Sequence, residues 1–115
     1  MPRDGGAPGL KPAVFHILLA LAGRDLHGYA AIQAVREQSA GRVPLNTASF
    51  YRHLNGLLDA GLVAEAPRPS GDDPRRGAYY RTTASGRAAL AAERRRLADL
   101  VAALDALRPS RRRSS

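Results

Sequence analysis

With 115 residues, a net charge of +8 and 44% hydrophobic residues, the chain has room for one small domain and favours polyanionic partners. The absence of cysteine excludes a disulfide framework, a thiolate nucleophile and a zinc-thiolate site. No apolar run of about 18 residues is present to span a membrane, and residues 1–9 lack a signal-peptide core, so a cytoplasmic protein is expected.

Residues 1–9 and 108–115, rich in Gly, Pro, Ser and Arg, read as flexible tails. The first helix is predicted from Pro12, a residue suited to a first helical turn, to Gly23. Val14, Ile17, Leu18 and Leu21 give it one apolar face. Arg24, Asp25 and Leu26 connect it to a second helix over residues 28–39, with Tyr29, Ile32 and Val35 as the apolar stripe and Gly41 as the stop.

The third helix has the clearest start. Asn46 is its expected N-cap, and Leu45 and Phe50 have the spacing of a hydrophobic staple. Phe50, Leu54, Leu57 and Leu58 repeat on one side until Gly61 ends the helix. Two helices joined by a short turn make a helix-turn-helix. Residues 62–66 and 78–82 then read as strands around a breaker-rich loop at 67–77, which makes a wing. Thr83 caps a final helix that reaches about Leu107.

The predicted architecture is mainly α. A winged helix-turn-helix of three helices and a two-stranded wing, residues 10–82, is followed by a long dimerisation helix at 83–107.

On the third helix, the side opposite Phe50, Leu54 and Leu57 carries Ala48, Ser49, Arg52, Asn55 and Gly56. A recognition helix inserts its N-terminal part into the major groove, where small and polar side chains are needed. Arg52 suits bidentate pairing with guanine, and Ser49 or Asn55 a base edge or phosphate. Thr47, Tyr51 and His53 complete the expected DNA-facing set, the last two on the flanks toward the phosphate backbone. Arg75 and Arg76 on the wing are expected to meet phosphates or a narrow minor groove. Asp72 and Asp73 of the same loop balance them if the loop is merely solvated.

The last helix spaces Leu90, Leu97 and Leu104 seven apart, with Leu100, Val101 and Leu107 alongside, and Arg94 interrupts the stripe. A helix that outruns its own domain needs a partner for this face, and a second copy also matches a two-fold operator. Arg111, Arg112 and Arg113 form a basic tail cluster. His16, His27 and His53 are not spaced as a metal pair, and neither metal nor cofactor is expected. No nucleophile elbow, phosphate-cradling glycine loop or credible carboxylate pair is present, so no enzyme is expected.

Three segments carry a resemblance: LHGYAAI at residues 26–32, SFYRHLNGLLDAGLV at 49–63 and YYRTTASGRAAL at 79–90. In order and spacing they resemble the signatures of PadR-like transcriptional regulators, over residues 10–107, and the single terminal helix resembles the short subfamily. The resemblance implies a dimeric winged-helix repressor of neighbouring genes, bound to double-stranded operator DNA and released by a small hydrophobic or aromatic effector. It places His27, Gly28 and Tyr29 at the opening of the second helix in a mainly structural role. Ser49, Tyr51 and Arg52 fall at the start of the recognition helix, where Ala48 and Ser49 replace the family's usual Gly and Thr. Tyr79, Tyr80 and Arg81 match the wing strand; Thr83, Gly86 and Arg87 match the cap of the last helix. The chain has no tryptophan, which the drug-stacking mode of some short members uses. A protein-binding winged helix is the alternative, and it would expose apolar anchors on the third helix where Ser49, Arg52 and Asn55 stand.

Overall fold

The structure, a computed structural model, describes residues 9–107. The expected tails, with Arg111, Arg112 and Arg113, lie outside the described residues apart from Gly9. Elements run in the order α1 Pro12–Gly23, β1 Leu26–His27, α2 Gly28–Gln38, α3 Thr47–Asp59, β2 Val63–Ala66, β3 Tyr79–Thr82 and α4 Ala84–Asp105. A single 3₁₀ turn, Pro74–Arg76, sits in the loop between β2 and β3.

Each helix begins where its chemistry dictates. Pro12 opens α1. At α3 the Ser49 amide donates to the Asn46 side chain at 2.8 Å while the Asn46 amide donates to the Ser49 hydroxyl at 3.1 Å, a reciprocal capping box. Leu45 and Phe50, the expected staple, are both buried. The end of α3 is equally determined: Leu62 N–H donates to the Leu57 carbonyl and Gly61 N–H to that of Leu58, with Gly61 at φ 76°. That left-handed closure suits glycine.

The end of α2 is closed by two left-handed residues in succession, Ala40 at φ 54° and the predicted stop Gly41 at φ 76°. Ala40 N–H donates to Glu37 and Gly41 N–H to Arg36, so alanine occupies the place that glycine usually fills.

The sheet has three antiparallel strands in the order β1-β3-β2, not the two of the predicted wing. Leu26 and His27 lie opposite Tyr80 and Tyr79 on the far side of β3 from β2, in a segment that local pattern reads only as a connection. Arg81 grips Asp25 with two hydrogen bonds, 3.2 and 2.7 Å, and fastens this added strand.

The core gathers Ile17, Leu18 and Leu21 of α1, Ala31 and Val35 of α2, Phe50, Leu54 and Leu57 of α3, with Leu26 and Val63 from the sheet. Burial of a large aliphatic or aromatic side chain is worth about 1.5–3 kcal/mol, so this cluster dominates the stability. The buried Thr82 hydroxyl donates to the Leu18 carbonyl at 2.9 Å and ties β3 to α1. Tyr29, predicted in the apolar stripe of α2, is instead 69% exposed. The inward face of α2 is Gly28, Ala31 and Val35, small residues that let α1 and α3 approach.

The first turns of α4 pack on this body. The Thr83 hydroxyl donates to the Gly61 carbonyl at 2.7 Å and accepts from the Gly86 amide; Arg87 donates to the Ala22 carbonyl at the end of α1. Gly86 passes so near the Leu62 carbonyl that any side chain there would collide with backbone. Further along, buried Glu93 pairs with Arg96 and accepts the Leu10 amide at 3.1 Å. Gly9, placed by sequence in the tail, lies against the Arg96 guanidinium. Beyond Leu97 the helix leaves the body, and exposure climbs from 40% at Leu97 to 73% at Leu107.

Candidate nucleic-acid interface

The amphipathic repeat of α3 fixes which residues face outward. With Phe50, Leu54 and Leu57 buried, Thr47, Ala48, Arg52, Asn55 and Gly56 are exposed, and Ser49 and His53 are half-buried. The helix therefore presents small residues in its first turn and Arg52 with Asn55 in its second. No acidic residue lies on that stretch before Asp59, which closes the helix.

Individual side chains refine the expectation. The Ser49 hydroxyl is engaged in the capping box and also donates to the Asn46 carbonyl, so its first role is to hold the helix start. Tyr51 is exposed along one edge, but its hydroxyl closes over Gly28 at the start of α2, and its ring meets Phe50 edge-on at 5.0 Å. His53 is held below the ordinary histidine pKa, first by partial burial and then by the cations Arg52 and Lys11.

The wing base stands beside these residues. His27 caps α2 by accepting the Ala30 amide at its Nδ1, 3.3 Å away, and its ring meets Tyr79 edge-on. Arg76 reaches from the wing toward α2, where Arg24, His27, Tyr29 and Gln33 line a shallow groove with it. Gln33 donates to the Tyr29 hydroxyl at 2.7 Å and accepts from Arg36 at 3.0 Å, a polar rail on the exposed side of α2 that the apolar-stripe reading conceals. Arg36, at the end of this rail, shares a groove with Asn46 and Ser49 at the start of α3.

Both wing arginines are exposed, and both are paired within their own loop. Arg75 donates to both Asp73 oxygens, its Nη2 at 2.9 Å, and Arg76 Nη1 reaches Asp72 at 3.0 Å. The Arg75 side chain and amide hold the Asp73 carboxyl below the usual carboxylate range. The Tyr79 hydroxyl, then Asp72, push the Arg76 guanidinium pKa up further. Among the described residues no cluster of His, Asp and Glu is arranged to hold a metal ion, and no helix is long and apolar enough to cross a membrane.

The stripe assigned to a partner copy divides in two. Leu90 is half-buried against the core, whereas Leu97, Leu100, Val101, Leu104 and Leu107 are exposed. Between α1 and α4 lies an apolar groove of about 470 Å³ lined by Phe15, Leu19, Leu90 and Leu97, with Arg87 and Arg94 on its rim.

The model of the family described as transcriptional regulator PadR-like matches residues 17–92, from within α1 to the first turns of α4. A PadR family transcription regulator from Clostridium difficile R20291 superposes with a TM-score of 0.69 at 18% identity, over 84% of this chain and 98% of that one. A transcriptional regulator from Clostridium thermocellum gives 0.58 at 16% identity, over 83% and 85%. Bacillus subtilis PadR, solved in complex with operator DNA, gives 0.56 at 22% identity, over 70% of this chain but 45% of its own. These likenesses establish the winged-helix fold. No curated protein matches the chain.

Proposed function

The chain belongs to the transcriptional regulator PadR-like family, and from that premise we propose that it is a dimeric, sequence-specific repressor whose hold on DNA is released by a small molecule. Residues 10–82 form the DNA-binding unit and 83–107 the dimerisation helix. It acts in the cytoplasm on double-stranded operator DNA.

The observation that carries this reading is the outer face of α3: small residues, then exposed Arg52 and Asn55, with Tyr51 exposed only along one edge. Arg52 reads guanine; Asn55 and Thr47 reach base edges or phosphates, and Tyr51, His53, Arg75 and Arg76 contact the backbone. Ser49 serves chiefly by fixing the helix start. The operator-bound Bacillus subtilis PadR supports the choice of partner.

Leu97, Leu100, Val101, Leu104 and Leu107 meet their counterparts in a second copy, with Leu90 at the edge of the contact. The groove between α1 and α4 adjoins this face, and its apolar lining suits a hydrophobic effector. A ligand there sits where a change in α4 is felt by both copies.

A gel shift of the purified protein on the intergenic DNA upstream of its own gene, with excess unrelated duplex, tests the reading. A discrete shift that survives competition, strongest on a near-palindromic segment, is expected. Binding abolished by the competitor would refute a specific operator.

A further inference from the structure

The wing holds two arginines that a phosphate backbone would attract and two aspartates that it would repel. We propose that Asp72 and Asp73 are specificity determinants: they mask Arg75 and Arg76 from DNA of arbitrary sequence, and only a duplex gripped by α3 draws the arginines across. The proposal rests on the DNA-binding reading above and adds to it a role for the acidic residues of the wing.

The geometry separates this pair of contacts from chance surface ion pairs. Both carboxylates are built into the loop, and the guanidinium groups are the movable partners. Asp73 accepts the Arg75 amide at 2.9 Å, which starts the Pro74–Arg76 turn, so its carboxylate stays beside the Arg75 side chain. Asp72 is held by burial. Its side chain is only 7% exposed, and its Oδ2 is buried without a hydrogen-bond partner among the described residues. The Asp72 Oδ1 accepts from Arg76 Nη1 at 3.0 Å, so this carboxylate is packed in the loop facing Arg76. The Arg75 side chain, in contrast, is 89% exposed.

A phosphate approaching the wing must therefore displace a carboxylate that already satisfies the guanidinium through charge-assisted hydrogen bonds. After the exchange the aspartate remains beside the phosphate as a like charge. Encounter complexes on unrelated sequence rest on phosphate contacts alone, and they lose the two contacts that the wing withholds. When base contacts by α3 fix the register, the wing is held against the backbone long enough for the exchange to be favourable.

Asp73→Asn isolates the charge, because asparagine caps a helical turn as well as aspartate does. Affinities of wild type and variant for an unrelated duplex and for the operator are measured across a series of salt concentrations. In the variant, affinity for the unrelated duplex is expected to rise by up to about eightfold at 0.1 M salt, with the salt slope steeper by about 0.9, one additional phosphate contact. The slope on the operator, where Arg75 is already engaged, stays the same, so the ratio of specific to nonspecific binding falls. Placing Arg75→Ala in the Asp73→Asn background removes the gain. Asp72→Asn with Arg76→Ala repeats the cycle at the second pair and carries the test if Asp73→Asn loses its helical circular dichroism.

A folded Asp73→Asn protein with unchanged affinity and slope on the unrelated duplex would overturn the masking role and leave the DNA-binding reading standing. A gain that persists without Arg75 also overturns it, because the aspartate would then act by general repulsion. Wild-type protein that binds neither duplex overturns both readings.

Discussion

Tyr51 of α3 lies over Gly28 of α2 so closely that a methyl group on Gly28 would fall on its hydroxyl oxygen. Gly86 of α4 is equally crowded, but its neighbour is the Leu62 carbonyl. The two glycines should respond differently to alanine. An exposed ring can swing aside, so Gly28→Ala is expected to cost about 1 kcal/mol or less, at the low end of overpacking. Backbone cannot move without shifting β2 or α4, so Gly86→Ala is expected to cost about 2–3 kcal/mol. Urea denaturation of both variants checks the order. A Gly28→Ala variant less stable than Gly86→Ala would show that the α2–α3 contact is the stiffer of the two.

Ala40 makes the opposite prediction. An alanine at φ 54° carries roughly 1–2 kcal/mol of steric cost that glycine does not. Glycine gives back up to about 1 kcal/mol through the added freedom of the unfolded chain. Ala40→Gly should therefore stabilise by up to about 1 kcal/mol, seen as a rise in Tm. A lower Tm would mean that the end of α2 closes without strain.

Much of this arrangement is legible in the sequence because its signals are local. Pro12, Asn46, Gly61 and Thr83 mark element ends through their own backbone and side-chain chemistry, and α3 repeats its large apolar residues at helical spacing. The strand Leu26–His27 has no such signal; it exists because β3, more than fifty residues on, offers an unpaired edge. The face of α2 was harder to read for another reason. Val35 is buried and Ile32 packs against the core as the stripe predicts, but Gly28 and Ala31 are too small to mark the rest of the inward face, and Tyr29 takes a place there that it does not hold. At the site, the outward residues of α3 follow from helical phase. The Ser49 hydroxyl in the capping box does not, since serine replaces the Glu or Gln usual at that position. Glu93 is concealed because a buried carboxylate makes sense only once Leu10 and Arg96 are seen around it.

Arg52, exposed in the second turn of α3, is the side chain proposed to read a base. Arg52→Ala is expected to cost about 1–3 kcal/mol on the operator and to relax the preference at one base pair, with unrelated duplex affected less. Titrations on the operator and on its single-base variants measure both effects. Unchanged operator affinity would remove Arg52 from the base-reading set.

The exposed stripe of α4 predicts the outcome of Leu97→Glu. A carboxylate introduced into an apolar contact must be desolvated or must open the contact, and either outcome exceeds what a single leucine gains. Sedimentation equilibrium should show a dimeric wild type and a monomeric variant, with helical content retained. A variant that remains dimeric would place the interface elsewhere.

Glu93 sets the acid limit of the segment that begins at Leu10. Its carboxyl lies below the ordinary range because Arg96 pairs with it and the Leu10 amide donates to it, against the opposing effect of burial. A depressed acid stabilises the fold above its unfolded pKa, and that contribution is lost as pH falls through the folded value. Wild type should therefore exceed Glu93→Gln in Tm at neutral pH, and the difference should shrink toward zero in acid. Thermal melts across the acid range decide it, and a difference independent of pH would mean that the ionised carboxylate contributes nothing.

The junction at Thr83 has a consequence for length. Helix α4 is bonded to the end of α3 at Gly61, to the end of α1 at Ala22 and to Leu10 through Glu93, all within its first three turns. It runs unbroken from Ala84 to Asp105. In a pair joined through the outer turns of α4, the distance and angle between the two α3 helices are then set by the number of residues between Glu93 and the first contact leucine. In such a pair the helix would act as a ruler. Adding one residue there would turn the contact face by about 100° and advance it by about 1.5 Å, so each domain would keep its grip on a half-site while the pair lost the spacing between them.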